Sequence, residues 1–271
     1  MKRLVAYGDS WTIGEGCNRE IEDTLSKHEK IIYQKENSWV KFLAENVNLQ
    51  FENYGVSGNP NNKIFNQLVD DVKAGITTKH DLVVVMWSSS LRDYLPFMPR
   101  GPKGEWLSWS VKHLMQTPDR FFSSTQTDNR YYDFFMEDYK KFWLTNLYDD
   151  LYYSIVNQNY IIFLQSFLEH YKIKYVLCDG IENMFLGLDD SYDKTNLINS
   201  DRYWGYKVNT FRDWLIERTD DSYWEFNENW KERSTQHPNA KGYKLIGNEL
   251  YSFIKGLKWK RFIFIILRLN F

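Results

Sequence analysis

Three segments of the 271-residue chain place serine just beyond a short apolar run: Gly8-Asp9-Ser10, Gly55-Val56-Ser57-Gly58 and Ser88-Ser89-Ser90. A hydroxyl at such a strand end faces a cleft, and neighbouring backbone N–H groups can face a developing oxyanion. Serine alone is a poor nucleophile, so a base is required. Of the five histidines, His28, His80, His113 and His170 fall in polar or helical stretches and read as ordinary surface or half-buried residues. His237 differs by context. It lies in Gln236-His237-Pro238-Asn239, directly before an apolar-periodic segment, where a loop would carry it over a sheet edge. Serine attack with imidazole as proton carrier is the chemistry these types and positions allow.

The elements that must position these groups follow from periodicity. Residues 3–7, 49–54, 82–87 and 173–178 read as short buried strands; the unalternating run Leu82-Val83-Val84-Val85-Met86-Trp87 suits a strand covered on both faces. Helices are expected after Ser38, from about Asn61, around 206–217 and after Pro238, with two more between 131 and 171 meeting near Asn157. Strand–helix alternation predicts a doubly wound α/β fold, whose ligands bind beyond the carboxyl ends of the strands. Residues of about 92–130 hold four of the six prolines together with Trp106, Trp109, Phe121 and Phe122, and read as an insertion that leaves the sheet. The expected organisation is one domain over 1–257 and a basic, apolar tail over 258–271.

Composition narrows the function classes. Lys+Arg 34 against Asp+Glu 36 leaves no electrostatic footprint for nucleic acid. The aromatic share is high, with 11 Trp, 19 Tyr and 18 Phe. Cys17 and Cys178 offer neither a disulfide framework nor a metal clip, and no His/Asp/Glu cluster has ligand spacing. GxGxxG and GxxxxGK[ST] runs are absent, which disfavours nucleotide binding. Neither metal nor cofactor is expected. The apolar stretch after Met1-Lys2-Arg3 ends at Gly8, too short for a signal h-region, so a cytoplasmic protein is expected; the tail adds peripheral membrane contact as a secondary reading.

Gly8-Asp9-Ser10-Trp11, Asn53-Tyr54-Gly55-Val56-Ser57-Gly58 and His237-Pro238-Asn239-Ala240-Lys241-Gly242-Tyr243 follow one another and frame about residues 2–255. Together they resemble the SGNH/GDSL hydrolases. The resemblance implies a flavodoxin-like three-layer α/β/α sandwich with a central, mostly parallel sheet, here carrying an aromatic-rich insertion after the third strand. It implies Ser10 as nucleophile and His237 as general base. The N–H groups of Ser10 and Gly58 become oxyanion donors. The blander alternatives are that Ser10 caps the next segment and that Gly55 and Gly58 only permit a turn with positive φ; Asp9 is assigned to orienting the turn, not to proton transfer.

Two positions depart from the family pattern. Ser90 stands where the family carries an oxyanion-hole Asn, or Ser89 if the register slips by one. Ser234 stands where the family acid precedes the histidine by three residues, with Thr235 next to it. Glu232, Glu228 or Asp179 are the candidate substitutes, and a Ser–His dyad held by a backbone carbonyl is another option. The expected function is a serine esterase or deacetylase acting on a glycan or small-molecule O-acyl ester. A glycan-binding or scaffold protein without turnover, and an acyltransferase using the same nucleophile, are the alternatives. The aromatics of 106–143 read as core or as an acceptor lining, and Arg92 as a surface residue or an anion partner.

Overall fold

A computed structural model of the chain describes residues 1–89, 92–94, 108–110, 149–185, 191–225 and 237–257. Most of the expected insertion, Ser90, Glu228, Glu232, Ser234, Thr235 and the tail lie outside the described residues. In chain order the named elements are β1 (Arg3–Gly8), α1 (Ser10–Ile13), α2 (Arg19–Glu22), α3 (Lys27–Glu36), α4 (Trp39–Val47), β2 (Gln50–Gly55), α5 (Asn61–Lys73), β3 (Leu82–Trp87), β4 (Arg92–Tyr94) and β5 (Ser108–Ser110). They continue with α6 (Asp150–His170), β6 (Lys174–Asp179), β7 (Tyr203–Trp204), α7 (Phe211–Arg218) and α8 (Ala240–Gly256).

The main sheet has the order β2-β1-β3-β6-β7, and every pairing in it is parallel. Strands β4 and β5 pair antiparallel in a separate two-stranded sheet. Alternation along the strands sorts side chains between two cores. Leu4, Ala6, Leu82, Val84 and Val176 pack with Trp39 and Leu43 of α4, Phe211 and Leu215 of α7, and Ile246 and Leu250 of α8. Val5, Tyr7, Val83, Val85 and Leu177 pack with Ile64 and Leu68 of α5 and with Ile161, Leu164 and Leu168 of α6. Helices therefore cover both faces, giving the three-layer α/β/α sandwich. Each fully buried aliphatic side chain contributes about 1.5–3 kcal/mol relative to exposure, which holds the strand ends in place.

The register aligns Gly8 with Gly55 and Trp87 with Asp179. Strand order reverses direction between β1 and β3, so the crevice between their carboxyl ends is the topological switch point. Among the described residues no helix is long and apolar enough to cross a membrane.

Several elements differ from their sequence expectation. α6 runs unbroken through Asn157, whose buried side chain accepts from Asn61 Nδ2 at 3.2 Å instead of ending the helix. The helix expected around 206–217 begins only at Phe211, capped by Thr210, whose hydroxyl accepts from the Asp213 N–H. The short strand β7 and the polar helices α2 and α3 were not anticipated.

Candidate active site

The candidate nucleophile stands where β1 gives way to α1. Asp9 is the N-cap, its Oδ1 accepting from the Trp11 N–H at 3.0 Å, and Ser10 is the first helical residue. The capping alternative for Ser10 is thereby corrected: the cap is Asp9. Asp9 reaches across the switch point as well, because the Ser88 hydroxyl donates to its Oδ2 at 2.6 Å. Asn61 holds the other side of that junction, accepting from the Ser88 N–H at 2.8 Å and donating to the Ser89 carbonyl at 3.2 Å. Two strand ends and the start of α5 are thus fixed together by buried polar contacts.

The second serine-bearing turn is docked on the first. The Val56 N–H donates to the Gly8 carbonyl at 3.1 Å, and Asn53 Nδ2 donates to the Thr12 carbonyl at 2.7 Å. Gly58 has φ +76°, the left-handed region that favours glycine. Gly55 does not; a Cβ there would lie 2.4 Å from the Ile13 nitrogen, so it is small because α1 presses against it. The turn-forming alternative therefore describes Gly58 and not Gly55.

His237 enters from the opposite end of the chain. An isolated bridge between Trp224 and Pro238 sets its neighbours antiparallel. The Glu225 N–H donates to the His237 carbonyl at 2.9 Å, and the His237 N–H donates to Glu225 Oε1 at 3.1 Å. The imidazole Nδ1 lies 3.1 Å from the same Oε1. With Nδ1–H donated to the carboxylate, the neutral ring carries its lone pair on Nε2. The Glu225 side chain is fully buried and that of His237 is 15% exposed. Arg19 Nη1 faces the other carboxylate oxygen, Oε2, at 3.7 Å.

The segment after α1 seats this pair. The Tyr243 hydroxyl donates to the Glu15 carbonyl at 2.6 Å and the Ala240 N–H to the Cys17 carbonyl at 2.9 Å. Gly16, with φ +83°, lies between them; a Cβ there would come within 2.6 Å of His237 Cβ and 2.8 Å of Glu225 Oε2. His237 is thus packed against the chain six residues beyond Ser10.

Burial alone would lower the imidazole pKa. The Glu225 hydrogen bond and the charges of Glu15, Glu225 and Asp9 outweigh it, so His237 titrates above the ordinary histidine value. Burial pulls Glu225 upward, yet its hydrogen bonds and charge interaction with His237, helped by Arg19, leave it below the ordinary carboxylate value.

The acid partner is the residue that sequence reasoning missed. Glu225 precedes His237 by twelve positions, not three, and the bridge, not a local loop, brings it close. An acid between Trp224 and Phe226 was its one sequence signal, a charge in an apolar frame that needs a partner. Asp179, one of the candidate substitutes, is engaged elsewhere: Tyr203 donates its hydroxyl to Oδ1 at 2.5 Å, and the Met184 N–H donates to Oδ2 at 3.2 Å. Ser89 donates its hydroxyl to Glu182, which takes that proton away from an oxyanion role. Among the described residues no group of three or more His, Cys, Asp or Glu side chains could hold a metal ion.

No protein-family model matches the chain, and no curated protein matches it. Solved structures do resemble its chain course. A member of the lipolytic protein G-D-S-L family from Veillonella parvula DSM 2008 is 13% identical over 95% of this chain and 100% of that one, with a TM-score of 0.43. The psychrotrophic esterase EstA from Pseudoalteromonas sp. is 14% identical over 94% and 97%, with a TM-score of 0.45. Axe2, an acetylxylan esterase from Geobacillus stearothermophilus, is 13% identical over 95% of each chain, with a TM-score of 0.44. At such identities and scores the likeness is one of chain course alone.

Proposed function

We propose that the chain is a serine ester hydrolase of the SGNH/GDSL type, with Ser10 as nucleophile, His237 as base and Glu225 as the acid that orients the base. The observation that carries this reading is the Glu225–His237 pair, packed beside the segment that follows Ser10 and within the electrostatic reach of Asp9. A fully buried carboxylate fixing Nδ1 is what an imidazole needs to present Nε2 as a base, and it stabilises the imidazolium that forms. It supplies the function of the absent acid at Ser234.

In the proposed reaction Ser10 Oγ adds to the ester carbonyl while His237 Nε2 takes its proton. The N–H groups of Ser10 and Gly58 receive the oxyanion, with Ser90 as third donor. Collapse expels the alcohol, which recovers the proton from His237. Water then attacks the acyl-enzyme with His237 again as base. The substrate class we favour is an O-acyl group on a carbohydrate or another small molecule.

The test is hydrolysis of p-nitrophenyl acetate, together with labelling by a fluorophosphonate. Ser10→Ala is expected to abolish labelling and to lower turnover by at least about 10³-fold. Equal turnover by wild type and Ser10→Ala would overturn the mechanism.

A further inference from the structure

Glu15 stands at the junction of all three sequence blocks that frame the site. Its N–H donates to the Ser10 carbonyl at 3.0 Å. Its carbonyl accepts from the Tyr243 hydroxyl of α8 at 2.6 Å. Its carboxylate accepts from the hydroxyl of Ser57, in the turn that ends at Gly58. The backbone contacts would serve any residue, whereas the carboxylate is specific to this one. It is half-buried, and its charge is felt at His237.

We infer that Glu15 is a positioning and specificity-determining residue: its carboxylate ties the Gly58 turn to the Ser10 turn, sets a negative charge beside the segment that packs against His237, and biases the site toward uncharged or cationic esters over anionic ones. The selectivity part rests on the ester-hydrolase reading; the effect on His237 does not. Among the described residues, the charges facing His237 are Glu225 from the bridged segment, Glu15 and Asp9 from either end of α1, and Arg19 of α2 behind Glu225. Tyr243 of α8 and Cys17 add no charge, because burial pushes both far above neutral pH. Among the described residues three carboxylates thus act on one histidine, and the Arg19 guanidinium is directed at Glu225. An anionic acyl or leaving group would enter against that field, and a neutral or cationic one would not.

Glu15→Gln isolates the charge, since the amide oxygen still accepts from Ser57 and the backbone contacts are unchanged. NMR titration of the His237 ring protons is expected to show its pKa lower in this variant by on the order of 0.5, about a threefold change in protonated fraction at fixed pH. In the same variant the kcat/KM ratio of p-nitrophenyl hemisuccinate to p-nitrophenyl acetate should rise about three- to tenfold at low salt, and the gain should shrink at 1 M salt. Ser57→Ala keeps the charge and removes the tether. It should lower kcat while leaving both the His237 titration and the ester ratio near wild type.

An active wild type whose His237 titration and ester ratio are unmoved by Glu15→Gln overturns the inference. So does Ser57→Ala reproducing both changes, because the role would then be structural alone. An inactive wild type in which Glu15→Gln still lowers the His237 pKa would remove the hydrolase reading and leave the electrostatic link standing.

Discussion

Glu225 and Asp179 are both buried carboxyl groups, 3% and 1% exposed, and the protein drives them in opposite directions. Among the described residues Asp179 receives only neutral donors, the Tyr203 hydroxyl and the Met184 N–H. Burial outweighs these contacts, and its pKa rises from 3.8 to about 7. Glu225 is also penalised by burial but faces an imidazole and a guanidinium, and it stays ionised. For two carboxyls both taken out of solvent, the charge of the partner turns the outcome. The group held ionised can orient a base. The group pushed toward neutrality serves to fasten β6 to β7.

That contrast breaks first, and hardest, at Glu225. Glu225→Gln should leave the bridge intact but present the imidazole with a neutral partner, lowering kcat/KM for an activated ester by on the order of 10³–10⁴-fold. Asp179→Asn should change it by less than about tenfold. Equal losses in steady-state kinetics would mean that the two carboxyls are not functionally distinct.

The second break is thermodynamic. The native pKa of Asp179 is raised, so between about pH 4 and 7 the unfolded chain releases the proton while the folded one keeps it. Stability from this group is therefore lost as pH rises through that window. The shift from 3.8 to about 7 bounds the effect at about 4 kcal/mol. Urea unfolding at a series of pH values should show wild type losing stability relative to Asp179→Asn across this range. A parallel pair of curves would place the carboxyl among ordinary titrating groups.

The same two regions show what the sequence makes legible. Strands β1, β3 and β6 were readable because both faces are buried and their apolar runs end at glycine or polar punctuation, whereas the half-exposed edge strand β2 was marked chiefly by the glycine block that ends it. α8 was readable from Pro238 and its apolar stripe. The register that pairs Trp224 with Pro238 was not, because it joins residues fourteen positions apart through a backbone contact that leaves no periodic trace. Glu225 was missed with it. α3 escaped for a different reason: its charged sequence has little apolar periodicity, although Ser26 and Glu29 form a capping box that could have marked its start. Asn157 looked like a helix break by propensity, but the tertiary partner Asn61 overrides it.

Gly16 gives a third, smaller test. Gly16→Ala adds a Cβ against both His237 and Glu225 at a positive φ, so the pair must shift. A loss of about 10- to 100-fold in kcat is expected, with a modest fall in Tm. Wild-type kinetics would show that the pair tolerates displacement.

Arg19 should give the smallest change. Its side chain is 31% exposed and 3.7 Å from Glu225 Oε2, so solvent screens the interaction and little stability is expected from it. Its contribution is to the proton equilibrium of the pair. Removing a positive charge near the imidazolium favours the protonated form. Arg19→Ala should therefore move the acid limb expected of the kcat/KM profile upward by a few tenths of a pH unit, in the same direction as the rise that Glu225, Glu15 and Asp9 already give His237. Glu225 loses a cation at the same time, so among the described residues its own ionisation then rests on His237. The shift should be largest at low ionic strength, fade at 1 M salt, and be partly restored in Arg19→Lys, which keeps the charge without the guanidinium geometry. An acid limb that does not move at low salt would leave His237 as the only group that distinguishes Glu225 from Asp179.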